Sequence, residues 1–504
     1  MTMPLPSPAQ TAQQTVQPAQ PGAPAAPAPP APPPAPAGRA APPARRLLPR
    51  LPQRLRLRTV PARIRAWTSA IVIAVLALFG VAWVAIDDAA VGLRVIGRTD
   101  GPQVVATADL YYSLSDMDTQ VANILLVGEQ QLGGGREAAL RRYEESRAKA
   151  GETLLQAADL ADDEVERRTV QELLNGLSQY ERLAARAMLL SDQADHPAGS
   201  PPAEAVASYR EATKLMRLGL LPKAYNLTLE SGSIVRRTYE EQHAAVQGGR
   251  VAVAVVGLVT IGLLVGLQVY LARRFRRILN PALLVATLVV TVLVGLAMGL
   301  LDRAAEDMRI AREKGFNSML ALSRARAISN SLHGDQSRYL LDRQEADTYE
   351  QVYLEKSQTV LYTPAGNLTA YYRELGRVVG EYPRRTDFLG FFGTEARNAA
   401  GGQERAALAE TLKRYEAFQQ EDRQLRAQAR AGAVQQLMSR VAQSFQAYDE
   451  ALVGLKNMHQ RSFEAAIADG DAALSGWNYA LPGAIVAAVA LIFVGVRPRL
   501  VEYR

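Results

Sequence analysis

Four uncharged apolar runs punctuate a chain whose remaining apolar residues recur with helical spacing. Two of the runs, 251–272 and 278–301, are separated only by Arg273-Arg274-Phe275-Arg276-Arg277. An apolar run of about 20 residues is long enough to cross the hydrocarbon core of a bilayer as a helix. Four arginines in so short a turn are costly inside the bilayer and favourable on its cytoplasmic side. The pair is therefore read as a membrane hairpin with a basic cytoplasmic turn, residues 273–277. Asn280 stands where an N-cap is expected, and Pro281 at the first helical position. The other two runs are 66–86 and 477–496. Arginines before the first span and Asp87-Asp88 after it put the N-terminus inside, and Arg497 and Arg499 put the end of the last span inside as well.

Between the spans the period is helical. Val170, Leu173, Leu174, Leu177 and Tyr180 follow the i, i+3, i+4, i+7 rule. Breakers at Gly133-Gly134-Gly135, near Ala161-Asp162 and across Pro197 to Pro202 divide residues 91–249 into helices over about 103–130, 136–160, 164–193 and 203–248. Residues 302–474 divide into helices over about 302–343, 345–361, 367–381, 402–431 and 433–474. The expected fold is an all-α membrane protein with four transmembrane helices and two extracytoplasmic up-down bundles, 91–249 and 302–474. The bundle helices continue directly into the spans. A tandem repeat is suggested by Leu177-x-x-Tyr180-Glu181 against Leu412-x-x-Tyr415-Glu416, and by Tyr209-Arg210-Glu211-Ala212 against Tyr448-Asp449-Glu450-Ala451.

Composition adds the two ends. Residues 1–44 are dominated by Pro, Ala and Gln, and eighteen of the 28 prolines precede residue 62. Such a segment cannot bury enough apolar surface to fold, so a disordered cytoplasmic tail is expected, serving as a spacer or as a docking tail. The basic juxtamembrane segment 45–65 suits anionic lipid. Nine arginines precede Asp87, the first acid. The net charge of +7 is thus accounted for by membrane topology, and nucleic acid is not expected as a partner. With no cysteine there is no disulfide, thiolate metal site or cysteine nucleophile. Residues 497–504 form a short cytoplasmic tail, too short for an output domain.

Candidate chemistry is sparse. Glu240-x-x-His243 has the spacing of half a carboxylate-bridged metal site, but nothing equivalent precedes His459, so no metal and no other cofactor is expected. Asp116 and Asp118 are two apart and cannot share a helix face, which makes them a solvated or interhelical polar pair. Gly262-x-x-x-Gly266 and Gly295-x-x-x-Gly299 are expected to pack helices within the four-span bundle rather than across a homodimer seam, though a homodimer stays open. The spans hold no acid, lysine or histidine, which argues against an ion-coupled transporter or channel component. Aromatics in 362–393, namely Tyr371, Tyr372, Phe388, Phe391 and Phe392, either pack beneath the second bundle or form an extracytoplasmic partner contact. No nucleophile, base and metal constellation is visible, so no enzymatic activity is expected.

Several stretches resemble an actinobacterial family of four-span membrane sensors. They are Leu114-Ser-Asp116-Met-Asp118 to Leu126, Glu211-Ala212-x-x-Leu215-Met216, Leu220-Leu221-Pro222-x-Ala224, and Gly334-Asp335-Gln336-Ser337-Arg338-Tyr339-Leu340. Asn398 to Leu408, Phe445-x-Ala447-Tyr448-Asp449-x-Ala451-Leu452 and Pro498-Arg-Leu-Val-Glu502-Tyr503-Arg504 complete them. The family's best-known member links an extracytoplasmic amino-acid-binding lipoprotein to a soluble serine/threonine kinase, protein kinase G. The resemblance implies a relay. A lipoprotein loaded with glutamate or aspartate would dock outside, and the spans would pass the change to a cytoplasmic kinase that controls glutamate metabolism. It supplies no catalytic residues. The basic patch Arg273, Arg274, Arg276 and Arg277 is the expected cytoplasmic partner surface. The competing reading is a chemoreceptor-like sensor that binds a small ligand directly.

Overall fold

A computed structural model of the chain describes residues 60–97, 101–127, 135–161, 164–194, 196–275, 280–399, 401–428 and 434–501. The tail 1–44, the basic stretch before Val60, Asp162, Gly133 and Gly134, Arg276 and Arg277, and Glu502 to Arg504 lie outside the described residues, as do the expectations placed on them.

Among the described residues the fold is all-α. Its helices are α1 Val60–Val95, α2 Gly101–Val127, α3 Gly135–Leu160, α4 Glu164–Gln193, α5 Ala203–Leu215, α6 Leu221–Phe275 and α7 Pro281–Ile310. They continue as α8 Asn317–Leu341, α9 Ala346–Val360, α10 Leu368–Glu381, α11 Phe391–Asn398, α12 Gly402–Gln428, α13 Val434–Ser475 and α14 Trp477–Val501. A β-bridge between Tyr362 and Leu389 is the sole β-pairing described. At Gly390 beside it, φ is 86°, and a Cβ would lie 2.8 Å from the Val360 carbonyl oxygen, so the bend requires glycine.

Four helical stretches are long and apolar enough to cross a membrane, within 62–95, 203–273, 281–341 and 436–498. Only 28% to 33% of each apolar window is buried within the protein. Ile73, Leu258, Leu288 and Val486 are all more than 60% exposed. Apolar surface this continuous is not stable in water, and a bilayer is the solvent that accommodates it. The chain is a multi-pass membrane protein. Its spans pack in a ring, α1 on α6, α6 on α7, α7 on α14 and α14 back on α1. Polar ties are few. Gln268 Nε2 donates to Thr287 Oγ1 at 2.7 Å, joining α6 to α7.

Two local expectations change in the bundle of spans. Asn280 occupies the N-cap of α7, with Pro281 next, but its side chain makes no capping bond. Its Nδ2 donates instead to the Gly495 carbonyl at 2.7 Å, tying α7 to α14. The glycine pairs also behave differently. An added Cβ at Gly266 would lie 3.2 Å from the Trp67 ring, but Gly262, Gly295 and Gly299 have open space within 4 Å. They do not mediate packing inside the bundle. The close approaches fall at Gly257 against Val294 and at Gly249 against Ala85, at 2.7 and 2.6 Å from the position a Cβ would take.

Three helical stretches run unbroken from the modules into the spans, whereas the junction of α1 with α2 includes residues outside the described ones. Residues 203–273 form one helical stretch of 71 residues and 281–341 one of 61. At about 1.5 Å per residue the first extends about 105 Å, of which a bilayer core takes about 30 Å. Each contains a short π-helical segment, Met216–Leu220 and Ala311–Phe316. The two outer regions share an apolar core. Leu114, Tyr180, Tyr209 and Leu220 belong to the same buried cluster as Leu332, Tyr353, Tyr415 and Tyr448. The two helical modules are joined along α2 and α8.

Candidate functional site

The joint between the modules is charged and dry. Asp118 on α2 and Asp335 and Arg338 on α8 have no solvent exposure. Burying a single ion in this way costs several kcal/mol unless it is paired and hydrogen-bonded. Arg338 lies between the two acids. Its Nη2 and Nε donate to Asp118 Oδ2 at 2.7 and 3.0 Å, and its Nη1 donates to Asp335 Oδ1 at 2.5 Å. Lys356 on α9 closes the chain, with Nζ donating to Asp335 Oδ2 at 2.5 Å and to Ser331 Oγ at 2.7 Å.

Asp118 is satisfied from three further directions. Tyr180 on α4 donates to Oδ1 at 3.1 Å, and Thr213 on α5 donates to Oδ2 at 2.6 Å. Tyr209 on α5 donates to the Asp118 backbone carbonyl at 3.2 Å and accepts from Arg338 Nε at 3.2 Å. Four helices from both modules, α2, α4, α5 and α8, thus converge on one carboxylate and one guanidinium, and α9 joins them through Asp335. Burial opposes ionisation throughout the network, but the partners outweigh it at two positions. Asp335 ends below the usual carboxylate range because Lys356 and Arg338 face it, and Arg338 ends well above its ordinary value because Asp118 and Tyr209 do. At Lys356 burial wins, and its amine falls to about 8.

Close approach of α2 to α8 requires Gly334. A Cβ there would lie 2.3 Å from Thr119 Oγ1 and 2.8 Å from Arg338 Nη2. Two bidentate pairs flank the network. Arg210 on α5 donates to Asp342 after α8 at 2.7 and 2.8 Å. Arg326 on α8 donates to Asp449 on α13 at 2.7 and 2.9 Å, with its guanidinium 4.1 Å above the Tyr112 ring of α2. Bidentate geometry fixes orientation as well as distance.

Asp116, two residues before Asp118, faces α3 instead. It accepts from Ser146 Oγ at 2.7 Å and from Gln120 Nε2 at 3.0 Å, and burial raises its pKa. The two acids are therefore interhelical and serve different helices. His243 stacks on Tyr239 with ring centroids 5.4 Å apart. Among the described residues no three of His, Cys, Asp and Glu gather as a metal site would require.

The aromatics in 362–393 could pack beneath the second bundle or meet a partner, and the packing is what the structure describes. Tyr371, Tyr372, Phe388 and Phe392 are buried, and Phe391 is half-buried against the same core. Tyr371 Oη donates to the Ser357 and Leu361 carbonyls at 2.9 and 3.0 Å, and Tyr372 donates to Asp422. These rings have internal polar partners, so they build the second module rather than present a face. Of the basic turn, Arg273 lies near the end of α6, and Arg274, Arg276 and Arg277 have no described side-chain positions.

A cleft opens beside the buried network. It has a volume of about 390 Å³ and lies between α6, α8 and α9, with Arg217 and Lys356 among the residues that line it. Arg217 belongs to the π-helical segment Met216–Leu220, an irregularity that often marks functional positions in helices.

Residues 92–240 match the family model of the actinobacterial sensor domain. The match contains α2 to α5 and the first part of α6, and so Asp118, Tyr180, Tyr209 and Arg217 of the seam. It supports a sensing role for a protein of actinobacterial type. Arg338 and Lys356 lie beyond the sensor domain, in the second module. No curated protein and no solved structure matches the chain.

Asp118, Asp335 and Arg338 all lie in stretches quoted for the family resemblance, but nothing in their spacing pairs α2 with α8. The usable signal was Asp335 and Arg338 three apart, which puts an acid and a base side by side on one helix face. The seam makes a specific demand on Gly334. Gly334→Ala should destabilise the protein by about 1–3 kcal/mol through overpacking, and Thr119→Ala in the same chain should restore part of the loss. Thermal unfolding in detergent reads both.

His333 generates a second expectation. It is buried on α8, its Nδ1 is 3.1 Å from Gln336 Oε1, and its ring stacks on Phe445 at 4.6 Å. Burial pushes its pKa down to about 4. Between about pH 6.5 and 4 the unfolded chain binds a proton that the folded chain refuses, so stability falls as pH drops through that window. In His333→Phe the thermal midpoint should decline less between pH 7 and pH 4.5 than in the parent, and equal declines would remove His333 from the account.

Proposed function

We propose that the chain is a non-catalytic transmembrane relay. In this reading the modules lie outside the cell, and both termini and the basic turn Arg273, Arg274, Arg276 and Arg277 lie in the cytoplasm. An amino-acid-binding lipoprotein, loaded with glutamate or aspartate, docks on the outer modules. A cytoplasmic serine/threonine kinase that controls glutamate metabolism receives the signal at the basic surface.

The observation that carries the reading is helix continuity. α6 belongs to the sensor domain and to the second span, and α8 holds Arg338 on the same helical stretch as the third span. A partner that prefers one packing of the seam would bias the spans by its differential affinity for the two packings, and by no more than that. The sensor-domain match supports the sensing half. The resemblance to the four-span family supports the lipoprotein and the kinase, and the charge distribution supports the orientation.

Photocrosslinking in intact cells from exposed positions of both modules, such as Leu155 and Tyr362, tests the proposal. Recovery of a solute-binding lipoprotein, with capture enhanced by added glutamate or aspartate, is the expected result. Recovery of cytoplasmic proteins from these positions would invert the orientation and overturn the relay.

A further inference from the structure

The cleft beside the seam has a charge that the protein does not balance. Two acids and two bases make up the buried network: Asp118 and Asp335 against Arg338 and Lys356. That set is neutral. Arg217 then adds a cation at the cleft wall, and it has no ion-pair partner among the described residues. Its guanidinium lies 5.2 Å above the Tyr349 ring, which leaves its donors free for another group.

Arg324 repeats the pattern behind the cleft. It is half-buried, and burial lowers its pKa with only the Tyr225 hydroxyl opposing the shift. Its Nη2 reaches the Thr228 carbonyl at 3.4 Å, its guanidinium lies 5.8 Å over Tyr225, and its Nε has no hydrogen-bond partner among the described residues. Tyr225 lines the cleft and meets Tyr111 edge to face, with ring centroids 6.2 Å apart. The positive field in this corner is thus carried by Arg217, Lys356 and, across Tyr225, Arg324. Lys356 is 17% exposed although two of its three donors are already engaged. The third is available on the cleft side.

The rest of the cleft is apolar. Leu221, Ile328 and Val352 supply aliphatic wall, and Tyr111 and Tyr225 supply ring faces. Its volume falls in the range of small-molecule sites. A mostly apolar cavity with a few convergent cations fits a single carboxylate on an apolar body. A phosphate has no apolar part to set against these walls, and oxygens turned toward them would be buried without donors.

We propose that this cleft is a binding site for a small organic carboxylate, held by Arg217 and Lys356 with its apolar part against Leu221, Ile328, Val352 and the two tyrosine rings. The site goes beyond the relay reading and does not depend on a lipoprotein. Its walls come from α2, the π-helical segment Met216–Leu220 and α6 of the first module and from α8 and α9 of the second, so a bound carboxylate would hold the second and third spans in one relative setting. It would act as a small-molecule input alongside the docked partner.

Calorimetric titration of the full-length protein in lipid nanodiscs, with no lipoprotein present, tests the site. The probes are benzoate, hexanoate, the neutral benzamide, and inorganic phosphate. Saturable binding of benzoate or hexanoate, with benzamide and phosphate at least about tenfold weaker, is expected; a factor of ten corresponds to one modest charge-assisted contact. Arg217→Gln should weaken carboxylate binding by about tenfold or more while lowering the thermal midpoint of the ligand-free protein only slightly, since Arg217 holds no ion pair among the described residues and loses only its contact with the Tyr349 ring. Val352→Trp, which fills the cleft, should abolish binding of both carboxylates. Failure of both carboxylates to bind, equal binding of benzoate and benzamide, tighter binding of phosphate, or parental affinity in Arg217→Gln would each overturn the proposal. None of these results bears on whether a lipoprotein docks outside.

Discussion

A guanidinium with no access to water has to be held by carboxylates, and Arg338 sets that requirement where the two helical modules meet. The first acid, Asp118, comes from α2 in the sensor domain, and the second, Asp335, from its own helix. Neither module can meet the requirement alone. Moving α2 away from α8 would leave Arg338 with one acid, and Asp118 with no cation and only hydroxyl donors. Buried pairs of this kind contribute little net stability compared with an apolar core, but breaking one is expensive. The network therefore acts mainly on geometry: it makes one arrangement of the modules far better than its neighbours.

Two of the helices that meet at the seam, α5 and α8, lie on helical stretches that continue into the apolar spans. α5, the π-helical segment Met216–Leu220 and α6 form one stretch into the second span, and α7, the segment Ala311–Phe316 and α8 form another from the third. Side-chain packing at the seam and in the spans is thus set by the same rigid bodies. The π-helical turns are the places where register can shift without breaking a helix. One of them carries Arg217 into the cleft, where an uncompensated cation meets a lysine whose charge burial already disfavours.

Much of the architecture was legible in the order of residues. The four apolar runs, the basic turn, and the breakers between 127 and 203 located nearly every helix to within a few residues. Hydropathy and glycine or proline punctuation act locally, which is why they read well. The meeting of α2 and α8 is a long-range event, and nothing in the spacing of Asp118 relative to Arg338 announces it. Asp118 looked like half of a polar pair with Asp116, but the helix sends the two acids to different neighbours. The aromatics from Tyr371 to Phe392 illustrate the converse. They are the kind of residue an interface uses, but Ser357 and Leu361 carbonyls and Asp422 lie within their reach, and the rings turn inward. The glycine pairs of the spans misled for a related reason. A four-residue spacing defines a smooth helix face, but which face meets a neighbour depends on the rotation of the whole helix, and that rotation is set by contacts such as Asn280 with Gly495.

Hydrogen exchange on the full-length protein in nanodiscs, comparing the parent with Arg338→Met, tests most directly whether the two modules are one cooperative body. The account predicts that the substitution lowers protection in α2, α4 and α5 together with α8 and α9, because α2, α5 and α8 lose a bond to Arg338 and α4 and α9 are bonded to the two acids that it held. Loss confined to α8 and α9, with the sensor domain protected as before, would show that the modules stand independently and that the seam does not couple them.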